Sequence, residues 1–233
     1  MLDGWSGRVA AMGCLMSALF AAVFHCLLLM VPFAFAGAGW QGRIDAPVVL
    51  FLMAAVSHGL CEGMASRRCG DATLMRLDRD TQDRFLASVT GLSLLVLSWV
   101  SLATHIAPGV PTLDTVLSWP LVGLTAMTLG IALRCFAIVT LGPGFVSALR
   151  VQPGQALVES GIYRYLRHPS ESGLICIAFG IPVLLGSAAG LAMAVATAAP
   201  LSWYRVSREE AALHITFGAR YDGYAAAVGR YFP

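Results

Sequence analysis

The sequence predicts an all-α fold, a polytopic transmembrane helical bundle of about six spans with a cytoplasmic connecting loop and a C-terminal interfacial helix. Three observations predict it. Of 233 residues, 58% are hydrophobic and only 12% are charged, whereas a soluble domain carries about 25% charged residues. The apolar residues gather into six runs, and nearly all the charges fall between them, Glu62, Arg134 and Glu171 excepted. The charges are also one-sided across a six-span arrangement. This composition excludes a disordered chain and argues against a soluble globule. A single integral-membrane domain over 1–233 is expected, with N-terminal spans in 1–118.

The runs lie at 9–36, 46–64, 85–107, 119–140, 171–186 and 188–204. The first follows Arg8 and contains Ala34-Phe35-Ala36, which mimics a signal-peptidase site. A signal core has about 7–15 apolar residues and this run is far longer, so it is expected to remain as a span. The fifth run reaches only ~24 Å as a helix, short of the ~30 Å hydrocarbon core. Gly180 and Pro182 interrupt it, and Gly186-Ser187 should turn the chain into a helical hairpin. The sixth run is rich in small residues, which permit close approach of membrane helices. Beyond Arg205, the stripe Leu213, Phe217, Tyr221, Tyr224, Val228 predicts a helix at the membrane interface.

All 15 basic residues are arginine. With six spans, one side receives Arg8, Arg67, Arg68, Arg76, Arg79, Arg84, Arg150, Arg164, Arg167, Arg205, Arg208, Arg220 and Arg230, the other only Arg43, and Arg134 lies inside the fourth span. The positive-inside rule then puts both termini in the cytoplasm. A net charge of +2, without a basic stretch interleaved with aromatics, gives no reason to expect nucleic acid as a partner. The 6 cysteines form no CxxC pair and mostly sit in apolar runs, where free cysteine behaves as a small hydrophobe. Neither a disulfide framework nor a metal site is expected. His58 and Glu62 lie four apart on the second span and are expected to pair structurally; His25, His105 and His214 are lone and carry no assignment.

Chemistry concentrates from the fourth span onward. Leu133-Arg134-Cys135-Phe136-Ala137-Ile138-Val139-Thr140-Leu141-Gly142 is followed by Gln155-Ala156-Leu157-Val158, then Gly161-Ile162-Tyr163-Arg164-Tyr165-Leu166-Arg167-His168-Pro169. Arg205-x-x-Arg208-Glu209-Glu210 and Phe217-Gly218-x-x-Tyr221-x-x-Tyr224 complete the set. The topology brings Tyr163, Arg164, Arg167, His168, Arg205, Arg208, Glu209 and Glu210 to one cytoplasmic rim. Arginine and histidine can hold a carboxylate, a carboxylate can accept both hydroxyls of a ribose, and an aromatic face attracts a sulfonium. Such a rim can hold a charged cofactor while a lipid-like substrate enters from the bilayer. It can equally be a set of headgroup anchors.

These segments, in this order over roughly 123–233, resemble the isoprenylcysteine carboxyl methyltransferase family, membrane enzymes that are also similar to phospholipid N-methyltransferases. The matching forms are LRxxAIxTLG-like, LVxxGxYRYxRHP and REExxLxxxFGxxYxxY. The resemblance implies a methyltransferase-like catalytic region over 119–233 and S-adenosylmethionine as cofactor, under the connecting loop and the C-terminal helix. It implies cofactor contacts from Gln155, Ala156, Leu157, Val158, Tyr163, His168, Pro169, Ser170 and Glu209. Arg205 would stand near the acceptor carboxylate, and Glu210 would brace the loop through an arginine.

One departure stands out. The family usually has an aromatic two residues after the RHP proline, and this chain has Glu171. An acid in the first turn of a helix suits the dipole; alternatively Glu171 partners the sulfonium or serves as base for a neutral nucleophile. Arg205 and Glu171 are therefore the candidate catalytic residues. The implied acceptor is lipophilic, foremost a prenylcysteine-like carboxylate, then an amine or thiol. An NADPH-dependent membrane reductase and a small transporter are the rival classes, although the paired repeats of a transporter are not seen.

Overall fold

The computed structural model describes residues 44–68, 81–107, 110, 119–142 and 156–231. The expected first span, 9–36, lies outside them, as does Gln155. Helices α1 (Ala46–Arg68), α2 (Thr81–Ile106), α3 (Trp119–Leu141), α4 (Pro169–Leu184) and α5 (Ala188–Phe217) answer to the second to sixth runs. A short α6 (Ala219–Ala227) follows, and a single 3-10 turn (Gly161–Arg164) precedes α4. The segments Ser88–Ile106 and Trp119–Leu141 are long and apolar enough to cross a membrane; Ala46–Cys61 and Pro169–Leu184 are apolar but shorter. Large side chains such as Phe85, Leu121, Leu129, Phe136 and Val139 face outward, as lipid-facing residues do.

The closest crossing is between α3 and α4, and glycine makes it possible. An added Cβ on Gly130 would lie 2.6 Å from the carbonyl oxygen of Gly173, and one on Gly123 would lie 2.8 Å from that of Gly180. Both pairs are spaced by seven residues, so two antiparallel helices meet backbone to backbone at two levels. Met127, Ile177, Ile181 and Leu184 fill the crossing between and beside these contacts, together with Val48 and Phe51 of α1 and Leu102 of α2. On the other flank, α5 lies against α2: Ala194 packs with Leu97 and Ala178, and Gly190 leaves room for the Ser101 hydroxyl. Of the small residues in the sixth run, these two are buried while Ala188, Ala189, Ala192 and Ala196 face out. Hydroxyls on these helices return to their own backbone, as Ser98 does to Leu94 and Thr104 to Val100, both at 2.8 Å; apolar surroundings offer them no water.

The hairpin between α4 and α5 turns at the expected Gly186-Ser187. Gly186 has φ 62°, which a side chain would resist. Ser187 then caps α5 by accepting the Gly190 N–H at 2.9 Å. This end is locked by His105, for which the sequence offered no role. Its Nδ1 lies 2.7 Å from the Leu185 carbonyl and its Nε2 3.0 Å from the Asp45 carboxylate. Asp45 also receives the Val48 N–H at 3.3 Å, which makes it the N-cap of α1.

Three expectations need correction. The sixth run does not end near residue 204: α5 is one helix of 30 residues, about 45 Å long, because Arg205–Phe217 keeps good helix formers after its apolar stretch ends. Cys61 and Cys135 are not isolated hydrophobes; they form a disulfide between α1 and α3, with Cα atoms 6.2 Å apart. His214 is not lone either, since its Nδ1 lies 2.6 Å from Asp222 in α6. The side chain of Glu62, the expected partner of His58, lies outside the described residues.

Candidate active site

The chain breaks at Gly218, whose φ of 54° closes α5, and α6 folds back over the segment before α4. Tyr224 donates its hydroxyl to the Tyr163 carbonyl at 2.6 Å, and Arg220 pairs with Glu159 at 2.9 Å. After α6 the chain runs parallel to Leu166. The Arg167 N–H donates to the Gly229 carbonyl at 2.9 Å and the His168 N–H to the Arg230 carbonyl at 3.2 Å. The RYLRHP stretch is thus clamped between α5 and the end of the chain.

Inside this clamp lies a cleft. Its apolar wall is Leu141, Leu157, Val158, Leu213 and Phe217; Tyr163, Tyr221 and Tyr224 supply aromatic faces; Arg167 and Glu209 supply charge. The stripe expected on a membrane-facing helix therefore turns inward, with Leu213, Phe217, Tyr221 and Tyr224 lining the cleft. Burial, with the nearby Glu209, raises the Tyr163 phenol. Burial likewise pushes Tyr221 and Tyr224 up to about 12, so all three rings are neutral hydroxyl carriers at physiological pH.

Behind the cleft, His168 sits between two adjacent acids of α5. Its Nδ1 lies 3.3 Å from Glu209 and its Nε2 3.3 Å from Glu210. Burial alone would lower the His168 pKa, but hydrogen bonds to both carboxylates prevail and raise it to about 9. His168 is consequently an imidazolium donating from both nitrogens. Glu210 is the structural acid. Arg167 donates to it at 2.6 Å, and Arg230 also pairs with it. Burial would raise its carboxyl, yet His168, Arg230 and Arg167 hold it at about 2. Glu209 has the same neighbour but a different outlook: its side chain is 43% exposed, into the cleft. Desolvation opposes its ionisation and is outweighed by His168 and Arg205, so its pKa is lowered.

Of the expected cofactor residues, the structure brings Ala156, Leu157, Val158, Tyr163 and Glu209 together around one cleft. His168 supports it through Glu209. Pro169 and Ser170 occupy the first turn of α4, where Pro169 is buried and Ser170 accepts from Arg134 at 2.6 Å. Glu171 and Arg205 form an ion pair, Nε to Oε1 at 3.0 Å, on a second cleft between α2, α4 and α5. Ser202 donates to the other Glu171 oxygen at 3.2 Å, and Arg205 reaches the Thr90 hydroxyl at 3.3 Å. Ser202, Arg205, Glu209, Leu213 and Phe217 recur every three or four residues, so one face of α5 serves both clefts. Tyr221 and Tyr224 were missed as cleft residues although each lies within a motif that the sequence displays, and Arg167 was expected on the rim but not among the cofactor contacts.

Residues 121–215 match the model of the isoprenylcysteine carboxyl methyltransferase (ICMT) family. A probable protein-S-isoprenylcysteine O-methyltransferase of Oryza sativa subsp. indica is 31% identical over 114 residues, covering 48% of this chain and 60% of the relative. Protein-S-isoprenylcysteine O-methyltransferase B of Arabidopsis thaliana is 35% identical over 113 residues, covering 46% and 55%. The matches span 46–60% of the lengths of these curated relatives. Among solved structures, the eukaryotic intramembrane Ras methyltransferase ICMT superposes with a TM-score of 0.59 at 20% identity, over 100% of this chain and 90% of that one. The two share a fold.

Proposed function

We propose that this chain is an integral-membrane, S-adenosylmethionine-dependent methyltransferase whose acceptor is the carboxylate of a prenylcysteine-like lipophilic molecule. The proposal takes all of 1–233 as one domain of about six spans, with both termini and the cofactor cleft on the cytoplasmic side. The observation that carries it is the cleft under α6, where three neutral tyrosines, one ionised carboxylate and apolar walls converge. The residues fit the cofactor's chemistry. Arg167 and Tyr221 stand against one another in the wall of the cleft, guanidinium to phenol. Both are donors suited to a ligand carboxylate. Glu209 is an acceptor suited to ribose hydroxyls, and Tyr163, Tyr221 and Tyr224 offer ring faces to a sulfonium.

When bound, S-adenosylmethionine supplies an electrophilic methyl group whose leaving group is a neutral thioether. The protein's part is alignment and exclusion of water. His168 holds Glu209 in place and charged. The Tyr224–Tyr163 bond keeps α6 closed over the cleft. Arg205, one turn before Glu209 on α5, orients an acceptor carboxylate beside the cofactor. That carboxylate is ionised at neutral pH, so no general base is required.

Calorimetric titration of S-adenosylhomocysteine into the detergent-purified protein tests the cofactor cleft. Saturable binding lost in Glu209→Ala supports it; no binding by folded wild type sinks it. Transfer of labelled methyl to N-acetyl-S-farnesylcysteine tests the acceptor.

A further inference from the structure

The Glu171–Arg205 pair lines the second cleft and not the one under α6, and Arg205 is the residue proposed above to meet the acceptor carboxylate. Both side chains are largely buried, 9% and 12% exposed. Beyond the hydroxyls of Thr90, Ser93 and Ser202, the cleft they close is apolar, with Leu94, Leu174, Ile175 and Leu201 along it. A carboxylate binds a guanidinium best by accepting from two nitrogens at once. In Arg205, Nε is taken by Glu171 and one terminal nitrogen by Thr90. An acceptor carboxylate therefore meets an arginine that already has a carboxylate on it, steadied by Ser202 from behind.

We propose that Glu171 is a specificity-determining residue, an internal occupant of the acceptor's place on Arg205 that a substrate carboxylate must displace. This rests on the carboxylate reading of the acceptor given above. Two consequences follow from competition for a single guanidinium. Acceptor binding is weaker than the cleft's apolar wall alone would give, so short acceptors with little to bury are excluded. After transfer the product is a neutral ester with no claim on Arg205, and Glu171 returns to it. Re-pairing of a buried arginine favours product departure, because a charge left unpartnered there is costly.

The test compares steady-state kinetics of wild type, Glu171→Gln and Ser202→Ala with S-adenosylmethionine and N-acetyl-S-farnesylcysteine. Glutamine keeps the shape and the acceptor for Ser202 but gives up the charge. The expected result is a KM for the acceptor about tenfold lower in Glu171→Gln, with kcat within about twofold. A merely structural acid would not give that split. Ser202→Ala removes one of the groups that steady Glu171, and its KM falls in the same direction; it serves as the second variant should Glu171→Gln not fold. An unchanged or raised KM overturns the inference. So does a collapse of kcat at unchanged KM, which would make Glu171 a proton acceptor for a different nucleophile. Wild type that binds S-adenosylhomocysteine yet methylates no carboxylate acceptor overturns the acceptor reading and this inference with it.

Discussion

Tyr224 reaches across 61 positions of sequence to give its hydroxyl proton to the carbonyl oxygen of Tyr163, at 2.6 Å. The bond joins the helix that covers the cleft to the turn that floors it. Tyr224→Phe keeps the ring and loses the bond. It should cost about 1 kcal/mol of stability and raise the dissociation constant of S-adenosylhomocysteine several-fold. Differential scanning fluorimetry and calorimetry on the same preparation check both.

The neighbouring acids of α5 should separate cleanly. Glu210→Ala strips a partner from Arg167, His168 and Arg230 together, and breaking a buried pair this way costs about 3–5 kcal/mol. Glu209→Gln loses one partner of His168 from a side chain that is 43% exposed, so it should fold with a smaller loss and bind cofactor poorly. Thermal melts beside titrations would show the inverse pattern if the roles assigned here were exchanged.

Stability should fall on the alkaline side. The pKa of His168 is raised in the folded protein from 6.5 to about 9, so folding binds a proton that the unfolded chain has released. Its contribution is complete below pH 6.5 and is lost as pH rises through about 9; by linkage it is on the order of 3 kcal/mol. On the acid side, Glu210, held at about 2, contributes stability above its ordinary pKa and loses it as pH falls toward 2. Melting curves from pH 6 to 10 should decline for wild type and stay flatter for His168→Gln.

At the opposite end of the bundle, His105→Ala should destabilise the fold by about 2 kcal/mol and leave kcat of the folded fraction unchanged. It removes bonds to Leu185 and Asp45 that lie far along the helices from either cleft. A change in kcat at constant folded fraction would show that the two ends communicate.

Much of this architecture is legible in the chain because it is written in local signals. Apolar runs, Gly186-Ser187 and the RHP stretch each act within a few residues, and among the described residues α1 to α5 and the hairpin turn appear where the second to sixth runs put them. The failures share a different cause. The boundary at residue 204 was set by hydropathy, but helix formation continues for as long as the backbone is favoured, as Arg208-Glu209-Glu210-Ala211-Ala212-Leu213 favours it. The inward turn of Tyr221 and Tyr224 depends on the fold-back at Gly218, and an apolar stripe alone does not say whether lipid or protein will meet it. The Cys61–Cys135 bond joins residues 74 apart, and the pairing of Glu171 with Arg205 joins two helices; neither leaves a mark on sequence spacing. The glycines at 123, 130, 173 and 180 did leave one, a shared interval of seven, which has meaning only once α3 and α4 are set side by side.

The parallel contact between residues 166–168 and 229–230, with Ser172 donating to the Tyr231 carbonyl at 3.0 Å, fixes an order of assembly during synthesis. Helices α1 to α5 can pack as they leave the ribosome. The strand-like grip on the RYLRHP stretch must wait until residue 231 has been made. A nascent chain halted anywhere in α6 would lack the cover of the cleft and the grip on the RYLRHP stretch. Closure of the cleft is thereby tied to the last residues of this segment, because Tyr221, Tyr224 and the grip on the RYLRHP stretch all follow Gly218.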